Sequence, residues 1–162
     1  MTILEAKKEH LSIIKDLAFA IWPVAYAEIL SKDQLDYMLD KFYSIPFLEN
    51  QMNTGQVFVL AEQDGIYSGF ASYELNCIDT KTKIHKLYVL PTTQGTGLGK
   101  KFVEYIKLES QKNNNTGVFL NVNRFNTAVE FYKKQNFIIS ETVNIEIGNG
   151  FLMEDYVMEL LF

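Results

Sequence analysis

Residues 84–107, IHKLYVLPTTQGTGLGKKFVEYIK, read as strand, glycine loop and helix. Ile84 to Leu90 is built of β-branched, aromatic and aliphatic residues, which suit a strand. Pro91 ends it, because proline has no N–H to give to a ladder. Gln94-Gly95-Thr96-Gly97-Leu98-Gly99 follows. Phe102, Val103 and Ile106 then recur at the spacing of one helix face.

A helix start leaves several backbone N–H groups without carbonyl partners and carries a partial positive charge. Glycines let backbone come close to an anion, with no Cβ in the way. Together these make a cradle for phosphate or pyrophosphate. Lys100 and Lys101 add positive charge to the first turn. The P-loop pattern cannot be placed on this stretch. Gly95, Gly97 and Gly99 also miss the spacing of a dinucleotide-binding turn. On spacing alone, an ordinary strand-to-helix connection stays open beside the anion cradle.

Working outward, Thr2 to Glu5 reads as a short first strand and Lys8 to Tyr26 as a helix that Pro23 bends or ends. His10 sits among charges early on that helix and is expected to face solvent. Ser31, with Gln34 three positions on, has the form of a capping box and opens a second helix through Leu35, Met38, Leu39 and Phe42. Ser44 to Asn53, holding Pro46, reads as a loop with a short helical turn. Gln56 to Ala61 is a continuous apolar run, as in a strand buried on both faces. A turn at Gln63-Asp64-Gly65 leads to a returning strand over Ile66 to Asn76, and Asp79 to Thr82 turns into the strand Lys83 to Leu90.

After the glycine loop come a helix from Gly97 to Lys112, ended by Asn113-Asn114-Asn115, a strand over Val118 to Val122, and a helix over Asn126 to Gln135. Phe137 to Ile147 and Phe151 to Leu161 are strands joined by the turn Gly148-Asn149-Gly150. The pattern predicts one α+β domain over residues 1–162, with a mixed sheet of about seven strands and about four helices.

Composition narrows the function classes. The chain has 162 residues, 48% of them apolar and 22% charged, with a formal net charge of −5. These proportions fit a globular domain. An acidic chain with scattered basic residues argues against nucleic acid as a partner, since phosphate recognition needs a basic face. No apolar run is long enough to span a membrane, so no membrane partner is expected. Cys77 is the only cysteine, so no internal disulfide can form. That fits a reducing, cytoplasmic setting, with Cys77 as a small buried hydrophobe.

Gln94 to Gly99 resembles the Q/R-x-x-G-x-G/A signature of the GNAT N-acetyltransferase superfamily. Asn126 to Phe137, NTAVEFYKKQNF, resembles that family's A-x-x-F-Y-x-x-x-G-F block, with Asn136 in place of the usual glycine. The element order is also similar over nearly the whole chain. The resemblance implies a GNAT-type α/β/α sandwich whose sheet is mostly antiparallel and splays between the fourth and fifth strands. It implies acetyl-CoA as cosubstrate, no metal, and direct attack of a primary amine within a ternary complex.

The resemblance also assigns roles. Tyr132 matches the tyrosine that protonates, or hydrogen-bonds to, the departing sulfur; a phenol still holds its proton at neutral pH. The residue-level alternative is a structural aromatic beside Phe131. Leu87, Tyr88 and Val89 match positions whose backbone pairs with pantetheine, and Gln94, Gly95, Thr96, Gly97, Leu98, Gly99 and Lys100 match the pyrophosphate arm. Phe125 stands where many relatives carry a CoA-contacting asparagine; Asn123 and Asn126 are the candidates to replace it, Asn126 equally as a helix cap. His85 matches the position of a basic glutamate in polyamine-acetylating relatives. Tyr26, Glu28, Glu74 and water are alternative bases.

Within the superfamily, I-H-K-L-Y-V before the loop and A-V-E-F-Y-K-K after it resemble bacterial spermidine/spermine-type acetyltransferases. Glu28, Asp33, Asp36 and Asp40 would then attract a polycation. A peptide or protein amine is the other acceptor class. The competing reading is a CoA-binding sensor without catalysis. A free last-strand edge would allow a homodimer.

Overall fold

The computed structural model describes residues 1–162. Seven strands form one sheet: β1 (Thr2–Glu5), β2 (Val57–Gln63), β3 (Ile66–Ile78), β4 (Lys81–Val89), β5 (Gly117–Asn123), β6 (Ile138–Gly148) and β7 (Phe151–Leu161). Their spatial order is β1-β2-β3-β4-β5-β7-β6, and only β4 and β5 run parallel. Five α-helices flank it: α1 (Leu11–Ala25), α2 (Lys32–Phe42), α3 (Ile45–Asn53), α4 (Leu98–Lys112) and α5 (Ala128–Lys134). This is the expected α/β/α sandwich with its mostly antiparallel sheet.

The run Val57 to Ala61 explains the two layers. Phe58 and Leu60 pack with Leu17, Ile21 and Met38 under α1 and α2, whereas Val59 and Ala61 pack with Phe102, Val103 and Ile106 of α4. Alternating side chains thus feed two separate cores, so the strand reads as an unbroken apolar run.

Several local expectations are corrected. Ser44–Asn53 is not a loop: α3 is a full helix whose Ser44 hydroxyl accepts from Phe47 N at 3.4 Å. Pro46 lies in its first turn, where a missing N–H costs nothing. Pro23 lies inside α1 and does not end it at its own position; the helix runs to Ala25, two residues beyond it. His10 lies in a 3₁₀ turn ahead of α1, half-buried, with its Nδ1 accepting from Lys7 N. The capping box at Ser31 is half made. Ser31 accepts from Gln34 N, but the Gln34 side chain donates to Leu152 O at 3.0 Å, tying α2 to the β6–β7 hairpin. The last strand is no edge either: β7 lies between β5 and β6, leaving β1 and β6 as the free edges.

One end of the parallel β4–β5 pair is locked by Asn115. Its Oδ1 accepts from Thr82 Oγ1 at 2.9 Å and from Asn76 N at 3.0 Å. Its Nδ2 donates to Asn76 Oδ1 and Asn113 O at 3.1 and 3.2 Å. The residue is buried, so truncation leaves the fully buried Thr82 hydroxyl without its acceptor. Asn115→Ala is expected to destabilise the fold by roughly 2–4 kcal/mol, read as a lower urea midpoint. An unchanged midpoint would show that this network does not hold the strands.

Candidate functional site

β4 and β5 pair only at Lys81↔Gly117, Thr82↔Val118, Lys83↔Phe119 and Ile84↔Leu120. Both strands continue past that point, to Val89 and Asn123, without pairing. The expected splay is therefore present, and it begins at Ile84. On its other side β4 carries a bulge. Ser72 faces Lys86 and Tyr73 faces Ile84, so His85 is the extra residue. The bulge shifts the facing pattern. Ile84, Leu87 and Val89 face the core under α4, while Tyr88 joins the core under α1–α3.

A cleft of about 400 Å³ opens at this parting. β4 contributes Lys83 to Tyr88, β5 contributes Leu120 to Asn123, and Trp22, Asn126, Tyr132 and Asp155 are among the other residues of the wall. Of the residues singled out from sequence, Tyr26, His85, Leu87, Tyr88, Asn123, Asn126 and Tyr132 meet here. Val89 does not line the cleft. Gln94 to Lys100 lie beyond the end of β4, mostly exposed, with Leu98 plugged into the core.

The loop has the conformation its glycines allow. Gly97 caps α4 with φ of +83°, a left-handed conformation that disfavours a side chain. The first bond into the helix runs from Lys101 N to Gly97 O, so the N–H groups of the first turn have no intrahelical carbonyl. Gly99 has a second reason to lack a side chain: a Cβ there would stand 3.1 Å from Phe131 Cζ. The two sequence motifs thus touch, the helix start of one against the aromatic of the other. Thr96, Gly97, Lys100 and Lys101 border a shallow groove with Ile3 and Glu104.

Tyr132 is buried to 7% exposure and packs edge-on against Phe131 and Phe137. Burial, with the Tyr26 phenol nearby, pushes its pKa well above the ordinary value, so its proton stays on. No protein group hydrogen-bonds its hydroxyl, which leaves the O–H free for a ligand. Tyr26 and Tyr88 hydrogen-bond each other at 3.0 Å, and burial raises both of their pKa values. A phenol held in its neutral form is a poor base.

His85 Nε2 lies 3.1 Å from Glu74 Oε1. Burial and the nearby Lys83 and Lys86 lower its pKa to about 4, against the pull of Glu74. The ring is therefore neutral at pH 7. A carboxylate only accepts, so the ring proton sits on Nε2 and Nδ1 keeps its lone pair. Cys77 is half-buried rather than core, and its thiol lies beside Glu74, which raises its pKa after burial does. Glu28 is exposed and outside the cleft, and Glu74 lies behind His85 rather than on the wall.

Asn123 and Asn126 spend their carbonyl oxygens locally. Asn123 Oδ1 accepts from Phe125 N and Asn126 Oδ1 from Ala128 N, both at 2.9 Å. Asn126 thus acts at the start of α5, and its side chain also reaches the Tyr26 hydroxyl.

Several cleft residues escaped the sequence reading, Asp155 and Lys86 among them. Asp155 on β7 is 2% exposed, and burial raises its pKa while a hydrogen bond from Asn121 lowers it. Lys86 was visible as a charge within an apolar strand, but without a role. Its Nζ donates to Gln51 Oε1 at 2.8 Å and Gln56 Oε1 at 3.4 Å, and lies 5.3 Å from the Phe58 ring centroid. Gln51 and Gln56 are distant in sequence from Lys86, and no local pattern announces them.

Three solved structures resemble this architecture. The N-acetyltransferase PaiA of Thermoplasma acidophilum, in complex with coenzyme A, is 25% identical over 100% of each chain, with a TM-score of 0.82. A GCN5-related N-acetyltransferase of Rhodopseudomonas palustris is 18% identical over 99% of this chain and 95% of that one, with a TM-score of 0.85. YncA of Salmonella typhimurium, a putative acetyltransferase solved with acetyl-CoA, is 20% identical over 99% and 93%, with a TM-score of 0.67. No curated protein sequence matches. The sequence profile of the Acetyltransferase (GNAT) domain matches residues 26–160. From the parted strands to the paired motifs, the chain belongs to the GNAT acetyltransferase family.

Proposed function

We propose that this protein transfers an acetyl group from acetyl-CoA to a primary amine within the cleft between β4 and β5. The observation that carries the reading is the parting itself. Beyond Ile84 and Leu120 the two strands present unpaired backbone groups to a cavity bordered by a buried tyrosine whose hydroxyl is free. A slender amide-bearing chain fits such a gap as an added strand would. The open N–H groups at Gly97 to Lys100 suit the pyrophosphate at its outer end.

Acetyl-CoA supplies an activated thioester carbonyl and a thiolate leaving group. The protein's residues do the rest. Leu87, Tyr88 and Val89 offer backbone groups along the gap. Gln94 to Lys100 hold the anionic arm, with the neutral Gln94 giving a weaker contact than the arginine common in the family. The amide NH₂ of Asn123 is left to donate. Tyr132 holds a proton beside the departing sulfur. His85 offers Nδ1 as the base, with Glu74 fixing the ring and favouring its protonated form.

The direct test is CoA release from acetyl-CoA with a panel of amines. Release that depends on an amine establishes transfer. Bound acetyl-CoA with no release from any amine would favour the sensor reading instead. Tyr132→Phe is expected to lower kcat by about 10²-fold or more while CoA affinity stays within about twofold, since only the proton is lost. Equal kcat in the variant would remove Tyr132 from the chemistry.

His85 gives a second test through pH. The folded chain keeps the ring neutral down to about pH 4, whereas the unfolded chain protonates it near its ordinary value of roughly 6.5. The unfolded chain therefore binds the extra proton in that window, and stability falls as pH is lowered through it. His85→Gln removes this loss. The urea midpoint of the variant is expected to fall less than that of the wild type between pH 6.5 and pH 4. Parallel curves would mean that the ring is not held neutral.

A further inference from the structure

Resting on the acetyl-transfer reading above, we infer that the acceptor is an amine that also carries a carboxylate, and that Lys86 is the residue that receives this carboxylate.

Lys86 is 8% exposed yet lines the cleft, on the face of β4 that looks toward α1–α3. Its neighbours are the neutral oxygens of Gln51 and Gln56 and the rings of Phe58 and Tyr43. Neither Lys86 nor Lys83, which lines the same cleft, belongs to any ion pair. A buried charge is ordinarily paired, because an unpaired one forfeits its hydration. Here burial and Lys83 instead hold the Lys86 pKa down to about 7. The chain therefore leaves this amine without a counter-charge and only partly protonated at neutral pH, and a carboxylate beside it would favour the ammonium form. Two of its three N–H donors are in use, which leaves one for a ligand.

The acidic residues do not answer this charge. Glu28, Asp33, Asp36 and Asp40 are all exposed and none lines the cleft. Glu74 is engaged by His85. Asp155 is the one carboxylate on the wall, on β7, with β5 between it and β4. The wall thus offers two lysines against one aspartate. A polycation would meet like charge in this cleft, whereas an amine with a carboxylate meets Asp155 through one end and Lys86 through the other. Trp22, Phe42 and Met38 give the space between an apolar lining.

The test compares each acid with its own primary amide, which keeps the amine and the shape but loses the charge. Ω-Amino acids from glycine to aminohexanoate, together with leucine and phenylalanine, make the series, with spermidine beside them. Binding to the CoA-loaded protein is measured by calorimetry, and CoA release from acetyl-CoA is measured separately. At least one acid is expected to bind about tenfold or more tighter than its amide, the least that one charge-assisted hydrogen bond contributes. In Lys86→Met the ratio is expected to fall to about one, while Lys86→Arg keeps part of it. The wild-type ratio stands as a readout even if a variant fails to fold. The inference is overturned if no acid binds tighter than its amide, if the ratio survives in a folded Lys86→Met, or if spermidine binds tightest of all. Acid-selective binding that depends on Lys86, with no release from any amine, would support the carboxylate site and remove the acetyl-transfer reading. Release from amines without acid selectivity would do the reverse.

Discussion

Two parallel strands that pair for four residues and then part are the constraint on which the rest depends. Parting leaves backbone groups unpaired inside the molecule, an expensive arrangement unless something takes their place. The strands hold because their other end is fixed. Asn115 uses both ends of its amide to bind β4, β3 at Asn76 and the end of α4, and Thr116 N adds a 2.7 Å bond to Thr80 O. The closed end thus lets the open end stay open. The bulge at His85 acts at the same place from the other side, by re-aiming the residues that follow it.

The parting brings together groups whose protonation is set by burial. Tyr132 keeps its proton and His85 lacks its second one at neutral pH, so a donor and an acceptor coexist in one cleft. Environments that push neighbouring groups in opposite functional directions mark reactive sites. The two glycines at the loop serve different ends. Gly97 gives α4 its left-handed start, and Gly99 lets α4 sit against Phe131 of α5. The loop that suits an anion is therefore also the packing joint that places Tyr132.

Charge inside and outside the cleft differ in balance. The chain is acidic overall, with its helical carboxylates in solvent, while the cleft wall carries two lysines, Lys83 and Lys86, against one aspartate. Net charge is a property of the surface, and a site a few side chains wide need not share it. Lys86 also shows how far the strand pattern can mislead. In I-H-K-L-Y-V it resembles an outward-pointing lysine of an ordinary strand, yet it is among the buried residues because the bulge and the helical layer close over it.

The sequence by itself determined the element order and the strand–glycine loop–helix stretch, because apolar periodicity and glycine placement are local and act through neighbouring residues; the sandwich with its splay, and the attention to Tyr132, came through the family resemblance. It misjudged Ser44–Asn53, where a proline that breaks helices in the middle starts one instead. It gave no signal for Asp155 in the cleft or for Gln51 and Gln56 as partners of Lys86. Tertiary structure alone decided these points. Which side chains face one another across β4, β5 and β7 depends on register, bulge and strand order, and those depend on contacts between residues far apart in the chain. Burial and the absence of a partner, which give Lys86, His85 and Tyr132 their protonation states, exist only once the layers have closed.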